Sequence, residues 1–202
     1  CLCLNSCTST NWERVKSAST ISVIGYSDNR TLVTFDKNGN GGSINDAINS
    51  PTLNNKFNQS FKFVLIPVIN KIMLSSKFIV TPHPIYSGIN FDAMDSPYTL
   101  NKLDDIDIVV NIINIFGVIN DSKKSNITQR LALKTILQFA DENGFIGSRT
   151  YFTAGSSIHQ RKDTSSFSKN DYKSIERSLI KKIRSDINAI KGIQKKSHKK
   201  ST

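Results

Sequence analysis

The chain has 202 residues, 38% of them hydrophobic, and carries 27 Lys and Arg against 16 Asp and Glu for a formal net charge of +11. That apolar content is enough for one packed domain and excludes a wholly disordered chain. All three cysteines, Cys1, Cys3 and Cys7, fall in the first seven residues, so no disulfide staples the body of the fold. No stretch beyond them offers the roughly 20 consecutive apolar residues that a membrane-crossing helix needs.

The amino-terminal residues read Cys1-Leu2-Cys3-Leu4-Asn5-Ser6-Cys7-Thr8-Ser9-Thr10. As a metal site the cysteines are poor, because Cys-x-Cys-x3-Cys has no nearby His or fourth Cys to close a tetrahedral shell. Leu4-Asn5-Ser6-Cys7 instead resembles the lipobox of bacterial lipoproteins, in which a Leu, a variable residue and a small residue precede the acylated Cys. Asn5 departs from the usual second position. The resemblance implies that residues 1–6 are the remnant of a signal peptide, that Cys7 is lipidated, and that 7–19 form a lipid anchor and polar tether. Cys1 is the alternative modified residue. The same family's sorting pattern, with Thr8 rather than Asp after the Cys, implies the outer membrane.

Thr20–Tyr26 and Thr31–Phe35 are short β-branched and aromatic runs separated by Asp28-Asn29, and they are expected as a strand pair. Asp36–Gly42 follows as a glycine- and asparagine-rich turn. Its Asp36, Asn38, Asn40 and Gly41 match the opening of a calcium loop, but the twelfth position is Ala47 where a bidentate acid is required, and Asp46 comes one place early. Across Asn54–Leu74 the residues Phe57, Phe61, Val64, Leu65, Val68, Ile69, Ile72 and Met73 fall at spacings of three and four, predicting a core-facing helix interrupted at Pro67. Lys77–Thr81 is a strand stopped by Pro82 and Pro84. His83–Thr99 has no periodicity and is expected as a long loop, with Tyr86, Phe91, Met94 and Tyr98 as contact residues or as cover for a sheet edge.

Asp105–Phe116 is a β-branched run expected as a long central strand. Ile127–Phe139 sets Leu131, Leu133, Thr135, Leu137 and Phe139 on one face and Arg130, Lys134 and Gln138 on the other, the mark of a half-buried strand. Asp141–Gly144 is the tight turn to a partner strand at Phe145–Phe152. Asp171–Ile190 carries Tyr172, Ile175, Leu179, Ile183, Ile187 and Ile190 on one stripe and forms an amphipathic helix. Residues 191–202 read as a basic flexible tail. The fold class is therefore α+β: a mixed, mainly antiparallel sheet with two amphipathic helices on it, in a single domain at 20–190.

Residues Phe139-Ala-Asp-Glu-Asn-Gly-Phe145, together with this order of elements, resemble the periplasmic domains of curli-secretion lipoproteins and of lipoprotein activators of peptidoglycan synthases. The glycine-rich, amphipathic pore segments of the curli type are not evident here, so the resemblance implies fold class and envelope location rather than a channel.

Catalytic constellations are not legible. His83, His159 and His198 stand apart without metal-ligand neighbours at i+3 or i+4, and Ser156-Ser157 with His159 lack a Gly-x-Ser-x-Gly elbow. Asp104-Asp105 with Asp107, and Asp141-Glu142, read as solvated turn charges. The expectation is a non-enzymatic envelope lipoprotein with no cofactor, acting in secretion, surface-structure assembly or cell-wall control. Its partners would be the membrane through the anchor, an envelope protein and, in addition, a second copy in a homo-oligomer. From Lys173 to Lys200 the only acids are Glu176 and Asp186. Lys181, Lys182, Arg184, Lys195, Lys196, Lys199 and Lys200 are thus candidates for contact with an anionic surface. Nucleic-acid binding, resting on charge without stacking aromatics or a binding motif, is the alternative.

Overall fold

The structure is a computed structural model that describes residues 7–27, 33–41, 68–81, 105–123, 126–156, 159–160 and 169–193. Its seven strands are β1 (Thr20–Ser27), β2 (Val33–Phe35), β3 (Ile79–Val80), β4 (Ile108–Lys123), β5 (Asn126–Asp141), β6 (Gly144–Ala154) and β7 (His159–Gln160). Helix α1 spans Cys7–Ser17, α2 has described residues 68–75, and α3 spans Lys169–Ile190. All seven strands form one sheet ordered β3-β1-β4-β5-β6, with β2 also on β4 and β7 also on β5. The expected α+β class holds, with parallel pairing on one side of β4 and antiparallel pairing on the other.

β4 is central, as its β-branched run implies, and reaches seven residues past the predicted end at Phe116. Its even residues Ile108, Val110, Ile112 and Val118 join the main core, while Val109, Ile113 and Ile119 are buried on the opposite face. A strand buried on both faces reads as a continuous apolar run with only partial alternation. β5 alternates as predicted, with Leu131, Leu133, Leu137 and Phe139 in the main core and Lys134, Ile136 and Gln138 half-buried behind.

β1 and β2 do not pair with each other as expected. Both run parallel to β4, with Ser27 opposite Asn114 and Val33 opposite Gly117. Six residues on one strand thus match three on the other. The Asp28-Asn29 signal marks an interruption along one edge of β4 rather than a reversal of the chain.

All three helices contribute to one core cluster with the same sheet face: Val15 from α1, Ile69, Ile72 and Met73 from α2, and Ile175, Leu179, Ile183 and Ile187 from α3. α1 lies in the segment 7–19 expected as a tether, where Val15 is fully buried and Ala18 nearly so. The spacing of Trp12, Val15 and Ala18 is the helical signal that short polar neighbours obscure. The part of the predicted second helix at 54–67, and the aromatic loop at 83–99, lie outside the described residues.

α3 closes in a Schellman motif: Gly192, at φ 68°, donates to the Ala189 carbonyl at 3.1 Å and Ile193 donates to Asn188 at 2.8 Å. The closing turn thus takes in residues 191–193, the start of the predicted tail. α2 ends the same way, with Lys77 donating to Leu74 and Phe78 to Met73, both at 3.1 Å, but the left-handed position is held by Lys77 at φ 67°. A side chain there costs what glycine avoids. Lys77→Gly should raise unfolding free energy by about 0.5–1 kcal/mol, and Gly192→Ala should lower it by about 1 kcal/mol, in urea titrations with unchanged m-values.

Candidate functional site

At the end of the sheet where β1 and β4 begin, α1, α3 and the β5–β6 hairpin meet. The hairpin turns through Glu142-Asn143 with Asp141 opposite Gly144, as the Asp-Glu-Asn-Gly sequence predicts. Beyond it β6 bulges: Phe139 faces Gly147 while Ala140 faces Phe145, leaving Ile146 as the extra residue. The bulge sets Gly147 under Trp12, where an added Cβ would lie 3.0 Å from the indole.

Trp12 is held on three sides. Its ring meets Phe139 edge-on at 5.3 Å between centroids, Gly147 forms the floor, and the Arg149 guanidinium lies 4.2 Å above the ring centre. Arg149 also reaches Asp186 of α3 at 3.4 Å, and Asp186 accepts the Tyr151 hydroxyl at 2.7 Å. Burial, then the Asp186 bond, pushes the Tyr151 phenol well up, so it remains a donor. Arg14 of α1 pairs with Asp141 at the hairpin tip. The chain from indole to guanidinium to carboxylate to phenol joins α1, β6 and α3 through a cation–π contact, an ion pair and a hydrogen bond in turn.

Lys191, assigned to the free tail by sequence, is the second clasp. Its Nζ donates to the carbonyls of Lys16 at 2.9 Å and Ala18 at 2.7 Å, and lies 3.9 Å from the Phe78 ring centre. It thereby caps the end of α1 from the end of α3. Desolvation lowers its pKa, while the charge of Asp107 opposes that shift.

A cleft of about 910 Å³ opens at this end, lined by Arg14, Thr20, Asp105, Asp107, Asp141 and Glu142 among others. Its carboxylates are partly committed to structure. Asp107 accepts the backbone N–H groups of Ser19 at 2.7 Å and Thr20 at 2.8 Å, and its own N–H donates to the Thr20 hydroxyl at 2.8 Å. Those backbone bonds hold its carboxyl below the usual range. Asp141 accepts from Arg14 and from the Asn143 N–H at 2.8 Å. Asp105 sits exposed at φ 75°, and Asp104 lies outside the described residues. For Asp107 those bonds stabilise the anion, the reverse of the raised pKa that a general acid needs.

The other sequence candidates separate. Asp36 accepts the N–H groups of Asn38 and Asn40 at 2.8 Å and the Asn40 side-chain amide at 2.8 Å, which closes the turn on itself and lowers its pKa. The Asp46 and Ala47 positions lie outside the described residues. Ser156 is exposed past the end of β6, Ser157 is not described, and His159 pairs with Gln129 as part of β7. No group of three or more His, Cys, Asp or Glu placed to hold a metal occurs among the described residues. No helix among them is long and apolar enough to cross a membrane.

Cys7 is the first residue of α1. Lys181 and Arg184 project from the exposed side of α3, whereas Lys182 donates to the Phe152 carbonyl at the sheet edge. Lys195, Lys196, Lys199 and Lys200 lie outside the described residues. Trp12 and Arg149, which no sequence motif marks, meet beside the β6 bulge, and Arg14 meets Asp141 at the hairpin tip.

No family model matches the chain, and no curated protein matches it. Among solved structures it is similar to a neuraminyllactose-binding hemagglutinin homolog from Helicobacter pylori, at 12% identity and a TM-score of 0.42, covering 88% of this chain and 87% of that one. A second is lipoprotein GNA1162 from Neisseria meningitidis, at 12% identity and a TM-score of 0.38, covering 83% and 99%. A third is a protein from Xanthomonas campestris, at 8% identity and a TM-score of 0.34, covering 87% and 82%. At TM-scores below 0.5 these likenesses carry no functional weight, and the role of this chain is read from its own residues.

Two outcomes follow from the docking geometry. Trp12→Ala removes the indole between Phe139, Gly147 and Arg149, and should cost about 2–3 kcal/mol, below the fully buried range because Trp12 is only partly buried. Chemical denaturation measures it. Asp107 has a depressed folded-state pKa, so its contribution is present above the unfolded value near 4 and is lost as pH falls through the folded value. Asp107→Asn should cost about 1 kcal/mol at pH 7, discounted for exposure, and the difference from the parent should shrink in urea unfolding toward pH 2.

Proposed function

We propose that this chain is a bacterial lipoprotein, acylated at Cys7, whose domain serves the cell envelope as a non-catalytic binding or assembly component. The observation that carries this reading is the Leu4-Asn5-Ser6-Cys7 sequence followed directly by a docked helix. The thiolate of a lipobox cysteine is the nucleophile that accepts lipid, and several acyl chains hold where one chain releases. Trp12 lies five residues after Cys7, a rise of about 8 Å along α1. A lipid on Cys7 would then hold the domain close against the bilayer.

The outer membrane is the proposed address, from Thr8, with the domain in the periplasm. An envelope protein, or a second copy of the chain, is the proposed protein partner, for secretion, surface-structure assembly or cell-wall control. The engagement of Asp107 and Asp141 in structural bonds supports a binding role over acid–base chemistry.

Intact mass of protein extracted from membranes, expressed with its native upstream segment, tests this. The expected result is a lipid mass gain on the parent and on Cys1→Ala that is absent from Cys7→Ala. Transfer of the loss to Cys1→Ala would move the anchor, and unmodified protein in all three would overturn the reading.

A further inference from the structure

The charge that composition spreads over the carboxy-terminal region is sorted by the fold into distinct roles. Lys182 is turned to the Phe152 carbonyl, and Lys191 is spent on the carbonyls of Lys16 and Ala18. Among the side chains of α3 that are described, what remains is a line of four exposed cations, Lys173, Arg177, Lys181 and Arg184. They stand at steps of four, four and three residues, within an arc of about 80° on the helix and over a length of about 16 Å. None has an ion-pair partner among the described residues. Of the three acids of α3, Asp171 is buried, Asp186 is taken by Tyr151 and Arg149, and Glu176 alone stands beside the line. The helix buries Ile175, Leu179, Ile183 and Ile187 on its other side, so it is held with this ridge outward.

We propose, resting on the membrane-anchored reading above, that this ridge is a docking surface for an anionic phospholipid bilayer. A straight row of cations on a fixed helix meets a planar sheet of phosphate charge along its whole length. α3 also shares its layer on the sheet with α1, the helix that begins at Cys7, and Lys191 ties the two together. A cationic ridge on the same layer as an acyl anchor adds a polybasic signal to it. The ridge adds headgroup attraction to acyl insertion and fixes which side of the domain faces the lipid, leaving the opposite side of the domain toward other partners.

The test uses the full chain carrying Cys7→Ala, so that no acyl chain contributes, in co-sedimentation with two kinds of vesicle: phosphatidylcholine alone, and equal parts phosphatidylcholine and phosphatidylglycerol. Binding to the anionic vesicles only, weakening as salt is raised, is expected. Lys173→Gln, Arg177→Gln, Lys181→Gln and Arg184→Gln together should reduce that affinity on the order of a hundredfold or more, since each basic residue near a charged surface contributes about fivefold. These four positions are exposed, and an unchanged urea midpoint will confirm that the variant is folded. A matched variant with Gln at Lys195, Lys196, Lys199 and Lys200 should lose less.

Equal binding by parent and ridge variant, complete loss in the tail variant, or preference for duplex DNA over the vesicles at the same salt would each overturn the ridge. The acylation measurement is separate. Unmodified Cys7 together with ridge-dependent vesicle binding removes the lipoprotein reading and keeps the ridge, whereas acylated Cys7 without any preference for anionic vesicles does the reverse.

Discussion

Pairing along β4 is the interaction on which the rest of this structure depends. From Val109 to Lys123 it pairs in antiparallel register with β5, and its other edge takes β1 and then β2 in parallel. A strand this long fixes the direction of the sheet and the spacing of everything laid on it. Its two buried faces demand cover on both sides, which explains the second, smaller core of Phe35, Ile119 and Ala132 behind the main one. One buried polar pair crosses the ladder: the Thr135 hydroxyl donates to the Asn114 side chain at 2.8 Å, directly across β4 and β5. Both residues sit on the helix-covered face, so the bond satisfies groups that water cannot reach.

The end of the sheet where β4 starts is where the chain is brought together. Asp107 ties the entry of β4 to the entry of β1, Arg14 ties α1 to the hairpin tip, and Lys191 ties the end of α3 to the end of α1. These are contacts between residues about 90 to 175 positions apart in sequence. The acidic cleft at this end is largely a by-product of that convergence, since helix ends and strand starts concentrate charges that cap them. The junction therefore works as a clasp: it closes both termini of the fold onto the central strand, and it places the start of α1 at a fixed position relative to α3.

Much of the fold was legible because its signals are local. The alternation from Leu131 to Phe139, the Asp141–Gly144 turn and the Ile175–Ile187 stripe each report a period set by burial on one face, and the structure places them as expected. What was not legible depended on long-range packing. Residues 7–19 look like a polar tether because Trp12, Val15 and Ala18, which pack inward, stand among short polar and charged neighbours. The extension of β4 past Phe116 through Asn120 is hidden by its polar residues, which β5 satisfies, Gln129 donating to Asn120 at 3.1 Å. The parallel placement of β1 and β2 beside one strand cannot be read from either run alone. For the site, the identity of the basic residues was visible, but not which of them the fold would consume.

That last distinction carries the functional argument. A net charge of +11 has no direction until the structure assigns each cation a task. Lys182 and Lys191 serve backbone carbonyls, Arg149 serves Trp12 and Asp186, and Arg14 serves Asp141. Lys191, Arg149 and Arg14 stabilise the closed end of the domain, while Lys182 is turned to the sheet edge. Lys173, Arg177, Lys181 and Arg184 have no such task, although selection for solubility alone would be met by scattered charges of either sign. Their alignment on the outer side of a helix that is fixed on its inner side concentrates like charge, which costs repulsion between neighbours at i and i+4. An anionic surface that relieves this repulsion gives the arrangement a physical purpose, and it acts on the same helical layer that carries Cys7.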